Sequence, residues 1–246
     1  MGANINVARS RPRNILLVAA NPAVSTTLGG PVGFWASELT HTYYEFTQNG
    51  YQVSVASSKG GKVEFDALSD PRHESGYSAD DIISMGFIHT PRLMRLLDDT
   101  PSIEQATVGD YDAIVVTGGQ SPMFTFREDI ALHRLLADFY EAEKVTAVLC
   151  HGTCALLHVK LTDGSMLIEG KTMTGFCNAE EDFVDKYVGT KVMPFRIEDE
   201  AKKLGANFIS GGLFKPFAVR DGRLITGQQQ FSGAATARLV IEALGV

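Results

Sequence analysis

Cysteine is scarce in this chain, which has three among 246 residues, at positions 150, 154 and 177. An odd number at that spacing forms neither a paired disulfide framework nor a metal-binding pattern, and it suits a reducing, cytoplasmic setting. Positive charge is also short: 22 Lys and Arg against 29 Asp and Glu leave a formal net charge of -7. That balance argues against an extended phosphate-binding surface, so no nucleic-acid partner is expected. No apolar run approaches the length needed to cross a bilayer, so no membrane partner is expected either. The run ILLVAA after Arg9, Arg11 and Arg13 stops at Asn21-Pro22, too early for the core of a signal peptide. Asn6 stands where myristoylation would need Ser or Thr. Neither G-x-G-x-x-G nor the P-loop pattern occurs, which disfavours NAD and ATP. No cofactor and no metal are expected. Internal repeats, low-complexity tracts and a domain linker are lacking too.

What is there is 44% hydrophobic and 21% charged, enough apolar material for a substantial core. Residues 1–13 are polar and basic and read as a loose arm, leaving 14–246 for one domain. Short apolar runs at 14–20 (NILLVAA), 51–57 (YQVSVAS) and 111–117 (YDAIVVT) read as strands. Helical spacing marks 33–49, 129–142, 195–204 and 232–244. Residues 171–175 read as a short strand. Asp221-Gly222 reads as the turn of a hairpin between 217–220 and 224–226. Residues 72–109, broken at Pro91 and Pro101, read as an insertion with short helices, including 90–97, that caps the pocket. Strands alternating with helices predict an α/β sandwich with a mostly parallel sheet.

The chain is organised around VTAVLCHGTCALL at 145–157. An apolar strand stops at Cys150-His151-Gly152, and helical spacing resumes with Cys154, Leu157 and Val159. A thiol at that junction sits at a helix N-terminus, where the positive end of the macrodipole favours the thiolate. His151 supplies a neighbouring proton acceptor, and Gly152 lets the helix start close to the strand end, as in a nucleophile elbow. Ligands in such sheets bind beyond the carboxyl ends of the strands. The loop after the first strand, the Gly118-Gly119 turn and Cys150 all end there. That convergence favours an active-site thiol over a structural one.

Gly118 and Gly119 let the backbone approach a ligand and expose amides to a developing oxyanion. Glu38 falls between Trp35 and Thr42 at helical intervals; spacing alone favours a solvated glutamate, whereas burial would raise its pKa. Glu180, Glu181 and Asp182 form an acidic cluster in which one member could orient His151 or all could simply be solvated. Cys154 reads as a small buried residue, with a resolving-thiol role as the alternative.

These motifs resemble the ThiJ/PfpI superfamily. AVLCHG at 147–152, TGG at 117–119, GFWASEL at 33–39, IEGKTMTGFCNAEED at 168–182 and DGRLITGQQQFSGAATA at 221–237 carry the resemblance. It is strongest to the branch of glutathione-independent glyoxalases and heat-shock chaperones. The resemblance implies a flavodoxin-like three-layer sandwich, usually a homodimer. It implies Cys150 as nucleophile, His151 as its partner, Glu38 against the thiol and Glu181 as the acid of a triad. Gly119 and His151 would supply oxyanion amides. Two departures stand out: Gln120-Ser121-Pro122 replaces a His-containing loop, and Thr42 follows His41 where Pro is usual. The implied activity is glyoxalase III-like conversion of 2-oxoaldehydes such as methylglyoxal to 2-hydroxy acids, with deglycase action as a variant. The alternatives are a cysteine amidase or peptidase, and a holdase chaperone or oxidative-stress sensor.

Overall fold

Alternate residues of the strands feed two separate cores, and this alternation makes the fold a three-layer one. The computed structural model describes residues 13–245. In chain order the strands are β1 Asn14–Ala19, β2 Ala23–Val24, β3 Pro31–Val32, β4 Gln52–Ser57 and β5 Ala113–Val116. They continue as β6 Val145–Leu149, β7 Thr172–Met173, β8 Asn207–Phe208, β9 Ala218–Asp221 and β10 Leu224–Gly227. Leu16 and Val18 of β1, with Ile114 and Val116 of β5, enter one apolar cluster. Ile15 and Leu17, with Ala113 and Val115, enter the other. A strand buried on both faces needs helices on both sides, and this arrangement is typical of parallel sheets.

The central sheet runs in the order β4-β1-β5-β6-β10-β9. Every neighbouring pair in it is parallel except β9 with β10. The β9–β10 hairpin turns at Asp221-Gly222 as the sequence predicts, with Gly222 at φ 62°. The chain leaves β1 for β4 on one side and returns to β5 on the other, which makes the carboxyl end between them a topological switch point.

The helices are α1 Ala36–Gln48, α2 Ile82–Ile88, α3 Pro91–Asp98, α4 Pro122–Thr125 and α5 Ile130–Glu141. They are followed by α6 Asn178–Val188, α7 Ile197–Lys203 and α8 Gly233–Leu244. α1 and α8 pack together on one face of the sheet, with Phe46, Leu39, Ala237 and Val240 in that core. α5 covers the other face with Leu132, Leu136 and Phe139. Asp129 caps α5 by accepting Leu132 N–H at 3.0 Å.

Residues 1–12 of the expected arm lie outside the described residues. Arg13 is held, because its guanidinium donates to the carbonyls of Leu244 and Gly245. Within residues 72–109, α2 packs on α1: Thr40 and Ser84 hydroxyls meet at 2.7 Å and His41 Nε2 meets Asp81 at 2.8 Å. The acid-rich stretch after residue 177 is helical, as α6. No helix among the described residues is long and apolar enough to cross a membrane.

Phe139 is fully buried in the α5-side core. Replacing it by Ala should lower the unfolding free energy by about 3–5 kcal/mol, read from guanidinium denaturation.

Candidate active site

The strand β6 ends at Leu149, and the next residue turns the chain through a left-handed conformation. Cys150 has φ 55°, one of three non-glycine residues with positive φ among those described. Such a conformation costs a non-glycine residue about 1–3 kcal/mol, and the surroundings must impose it. They do so by close approach. A Cβ on Gly118 would lie 2.8 Å from both Cys150 Cβ and His151 N. One on Gly152 would lie 2.5 Å from the Thr117 carbonyl oxygen. The glycines therefore let the ends of β5 and β6 interlock.

The segment after the elbow corrects the sequence expectation. Cys150–His158 forms a 3-10 helix rather than an α-helix. Thr153 Oγ1 donates to the Cys150 carbonyl at 2.7 Å, occupying an acceptor that an α-helix would offer to the residue 154 amide. Nor does a helix dipole dominate the environment of the thiol. Cys150 is 2% exposed, and burial pushes its pKa well up, with Glu38 adding to the rise. The backbone amides of His151 and Gly119 oppose that shift.

Glu38 is 0% exposed on the first turns of α1, not solvated as spacing alone favours. Gly118 N–H donates to its Oε2 at 2.6 Å. The Gly118 amide is therefore committed to Glu38 and is not free for an oxyanion, which corrects that expectation. Burial pushes the Glu38 carboxyl up to about 8, against the lowering effect of its bonds to Gly118 and Cys150. At neutral pH the group is protonated. Its Oε1 is buried without an N–H or O–H partner, and the carboxyl interacts with the Cys150 thiol. A protonated acid is thus held beside the sulfur.

On its other side, the sulfur lies 3.8 Å from His151 Nδ1. His151 Nε2 meets Glu181 Oε1 at 3.2 Å, which assigns the ring proton to Nε2 and leaves the Nδ1 lone pair facing the thiol. Glu181 comes from the first turn of α6 and is 1% exposed. Arg196 Nη1 stands 3.8 Å from Glu181 Oε2, while its Nη2 binds Asp182 at 2.9 Å and Asp185 at 2.7 Å. The Phe176 ring stacks on His151 with centroids 4.1 Å apart and an interplanar angle of 21°.

The structure thus brings Cys150, His151, Glu38, Glu181, Gly118 and Gly119 into one cluster. Within the acidic run, Glu180 turns elsewhere: it accepts Phe214 N–H at 2.9 Å and Gln228 Nε2–H at 2.8 Å, and Asp182 is exposed. Cys154 is buried, with its sulfur 3.4 Å from the Pro122 carbonyl. Among the described residues, no group of three or more His, Cys, Asp and Glu could hold a metal ion. The replacement loop at Gln120-Ser121 is tied inward: Gln120 N–H donates to Asp66 Oδ2 at 2.6 Å and the Ser121 hydroxyl to the Asn21 carbonyl at 2.5 Å. Sequence reasoning missed Asp66, Phe176 and Arg196. Phe176 lies inside the TGF stretch already singled out, but no residue pattern announces the other two.

A strained cysteine between two parallel strand ends, with a histidine and two buried acids around it, defines a class of α/β proteins built on a nucleophile elbow. Residues 31–243 match the DJ-1/PfpI family, and the chain belongs to it. The probable glutathione-independent glyoxalase hsp3103 of Schizosaccharomyces pombe is 27% identical over 88% of this chain and 92% of its own length. The glutathione-independent glyoxalase HSP31 of Saccharomyces cerevisiae is 28% identical over 95% of this chain and 98% of its own. Among solved structures, the Rapid Encystment Protein 24 KDa of Francisella tularensis superposes with a TM-score of 0.85 at 28% identity, covering 95% of this chain and 100% of that one. Glyoxalase III of Candida albicans shares the fold, with a TM-score of 0.79 at 24% identity over 94% and 97% of the two chains.

The raised Glu38 pKa has a consequence for stability. The carboxyl ionises near 4.5 in its ordinary state and near 8 when folded, so folding takes up a proton between those values. Stability from this source is fully present below the lower value and is lost as pH rises through the upper one, with a slope of about 1.4 kcal/mol per unit. Glu38→Gln, neutral throughout, should gain stability relative to the native chain between pH 5 and 8. Denaturant midpoints at both pH values check this, and a constant gap would contradict it.

Proposed function

We propose that the chain is a glutathione-independent glyoxalase, converting small 2-oxoaldehydes such as methylglyoxal to 2-hydroxy acids through Cys150. One observation carries this reading: the Cys150 sulfur lies between an acid that keeps its proton, Glu38, and a histidine whose far nitrogen is held by Glu181. Interconverting an aldehyde and a neighbouring ketone requires a nucleophile and groups that move protons on both sides of it. The relatives named as glutathione-independent glyoxalases, which match nearly the whole chain, support the same activity.

Burial raises the pKa of the thiol, so a base must take its proton as it adds. Nδ1 of His151 takes the thiol proton as the sulfur attacks the aldehyde carbon, and the contact at 3.8 Å tightens when substrate is bound. The hemithioacetal oxygen receives a proton from the imidazolium, and the amides of Gly119 and His151 stabilise its charge as it forms. Glu38 and His151 then act as a pair. One removes the proton from the carbon bonded to sulfur while the other protonates the oxygen of the adjacent carbonyl, giving an enediol. The enediol then takes a proton at that adjacent carbon as the hydroxyl on the carbon bonded to sulfur gives one up, leaving a 2-hydroxy thioester, which water cleaves to release the acid and the thiol. The sum is substrate plus one water giving product. Glu181, braced by Arg196, stabilises the imidazolium of the first step.

Lactate formation from methylglyoxal by the purified protein tests the reading. Cys150→Ala should reduce kcat by at least about a thousandfold, and Glu181→Gln by about ten- to a hundredfold with little change in KM. Activity surviving Cys150→Ala would sink the assignment. Inertness toward 2-oxoaldehydes with a trapped acyl-enzyme at Cys150 would transfer the same residues to amide or ester hydrolysis.

A further inference from the structure

A third buried acid borders this site without a part in the chemistry above. Asp66 lies in the loop after β4 and is 1% exposed. Its Oδ1 accepts Gly33 N–H at 2.8 Å and its Oδ2 accepts Gln120 N–H at 2.6 Å. Its own amide donates to the Phe34 carbonyl at 2.8 Å. Its carbonyl accepts the Ser69 amide at 2.9 Å and the Ser69 hydroxyl at 2.7 Å. Ser69 Oγ in turn accepts Ala36 N–H at 3.0 Å, the first amide of α1.

These bonds end at two sensitive points. Gln120 directly follows the Gly118-Gly119 turn, which packs against Cys150, where a Cβ on Gly118 would lie 2.8 Å from Cys150 Cβ, and the Gly119 amide lowers the thiol's pKa. Gly119 sits at φ 102°, and a Cβ there would lie 2.4 Å from Trp35 N, so the turn presses directly on the chain entering α1. Ala36 opens the helix that carries Glu38 two residues later. The turn and the helix entry are laced together by Trp35 N–H to the Gly118 carbonyl at 3.3 Å and Ser121 N–H to the Gly33 carbonyl at 3.0 Å. Asp66 is the side chain that bonds to both sides of that seam. A buried carboxylate accepting two amides fixes their separation more tightly than a neutral group would.

We infer that Asp66 is the positioning residue of this site: it clamps the amides of Gly33 and Gln120 together, holding the Gly118-Gly119 turn against Cys150 and, through Ser69, setting the N-terminus of the helix that bears Glu38. Its environment fits that role. Burial pushes its pKa up to about 6, restrained by the two amides and by His151, so at neutral pH it is the anion that both N–H groups need. Its charge also adds to the rise in the Glu38 pKa, helping to keep that acid protonated.

Asp66→Asn keeps the shape but offers one acceptor oxygen and turns an NH2 group toward one of the amides. The decisive readout is the pH profile of Cys150 alkylation by iodoacetamide, followed by mass spectrometry alongside a thermal melt. Alkylation at neutral pH should slow by about tenfold or more, with its midpoint moved to higher pH as the sulfur loses its amide. In turnover of methylglyoxal, which rests on the activity proposed above, kcat should fall by a similar factor while KM stays within about twofold. Alkylation does not depend on that activity, so a chain inert toward methylglyoxal would sink the proposed function and leave this inference to the alkylation profile. A folded variant with the native profile overturns it, even if its melting temperature drops. If the Asn variant does not fold, Ser69→Ala decides: removing that hydroxyl should slow alkylation about threefold, and an unchanged rate overturns the inference.

Discussion

The backbone at Cys150 is forced left-handed where β6 ends, and the rest of the site takes its position from that turn. The turn exists because β5 and β6 are neighbouring parallel strands whose ends crowd one another. Gly118 and Gly152 remove the side chains that would keep those ends apart. The sulfur then projects toward α1 and meets Glu38 instead of solvent. Strain of this kind is stable only when a well-packed scaffold imposes it, and the two apolar cores on either side of the sheet supply that scaffold.

Around the sulfur, two glutamates sit in different surroundings. Glu38 has apolar neighbours, one backbone amide and no counter-charge, and it keeps its proton at neutral pH. Glu181 lies against His151 and Arg196, both able to carry positive charge. Carboxyl groups separated in this way can take opposite roles as acid and as electrostatic brace. His151 between them is held by Glu181 at its edge and by Phe176 on its face, leaving one nitrogen free toward the thiol. Burial pushes the pKa of the thiol up, and Nδ1 of His151 is the nitrogen that faces it.

Much of the architecture was legible because it rests on local pattern. Buried strands such as 14–20 and 111–117 declare themselves by continuous apolar runs, and the hairpin at Asp221-Gly222 by its turn residues. The elbow showed itself as a strand ending at Cys-His-Gly. Its 3-10 continuation did not, since the Thr153 hydroxyl competes for the Cys150 carbonyl through a contact that helical periodicity cannot register. Glu38 and Glu181 illustrate the same limit. Spacing gave a solvated helix glutamate for one and an undivided acidic run for the other, and resemblance to a family pointed to both.

The sequence by itself determined the class of fold, the residue that ends the critical strand and the glycines that permit its turn, since each follows from neighbours within a few positions. Tertiary structure alone decided that the Gly118 amide serves Glu38 and not an oxyanion, that Arg196 braces Glu181, and that Asp66 ties the helix entry to the glycine turn. Those partners are separated by tens of residues along the chain. Charge and hydrogen bonding act through space, and only the packed sheet and helices bring such groups within about 3–4 Å of one another.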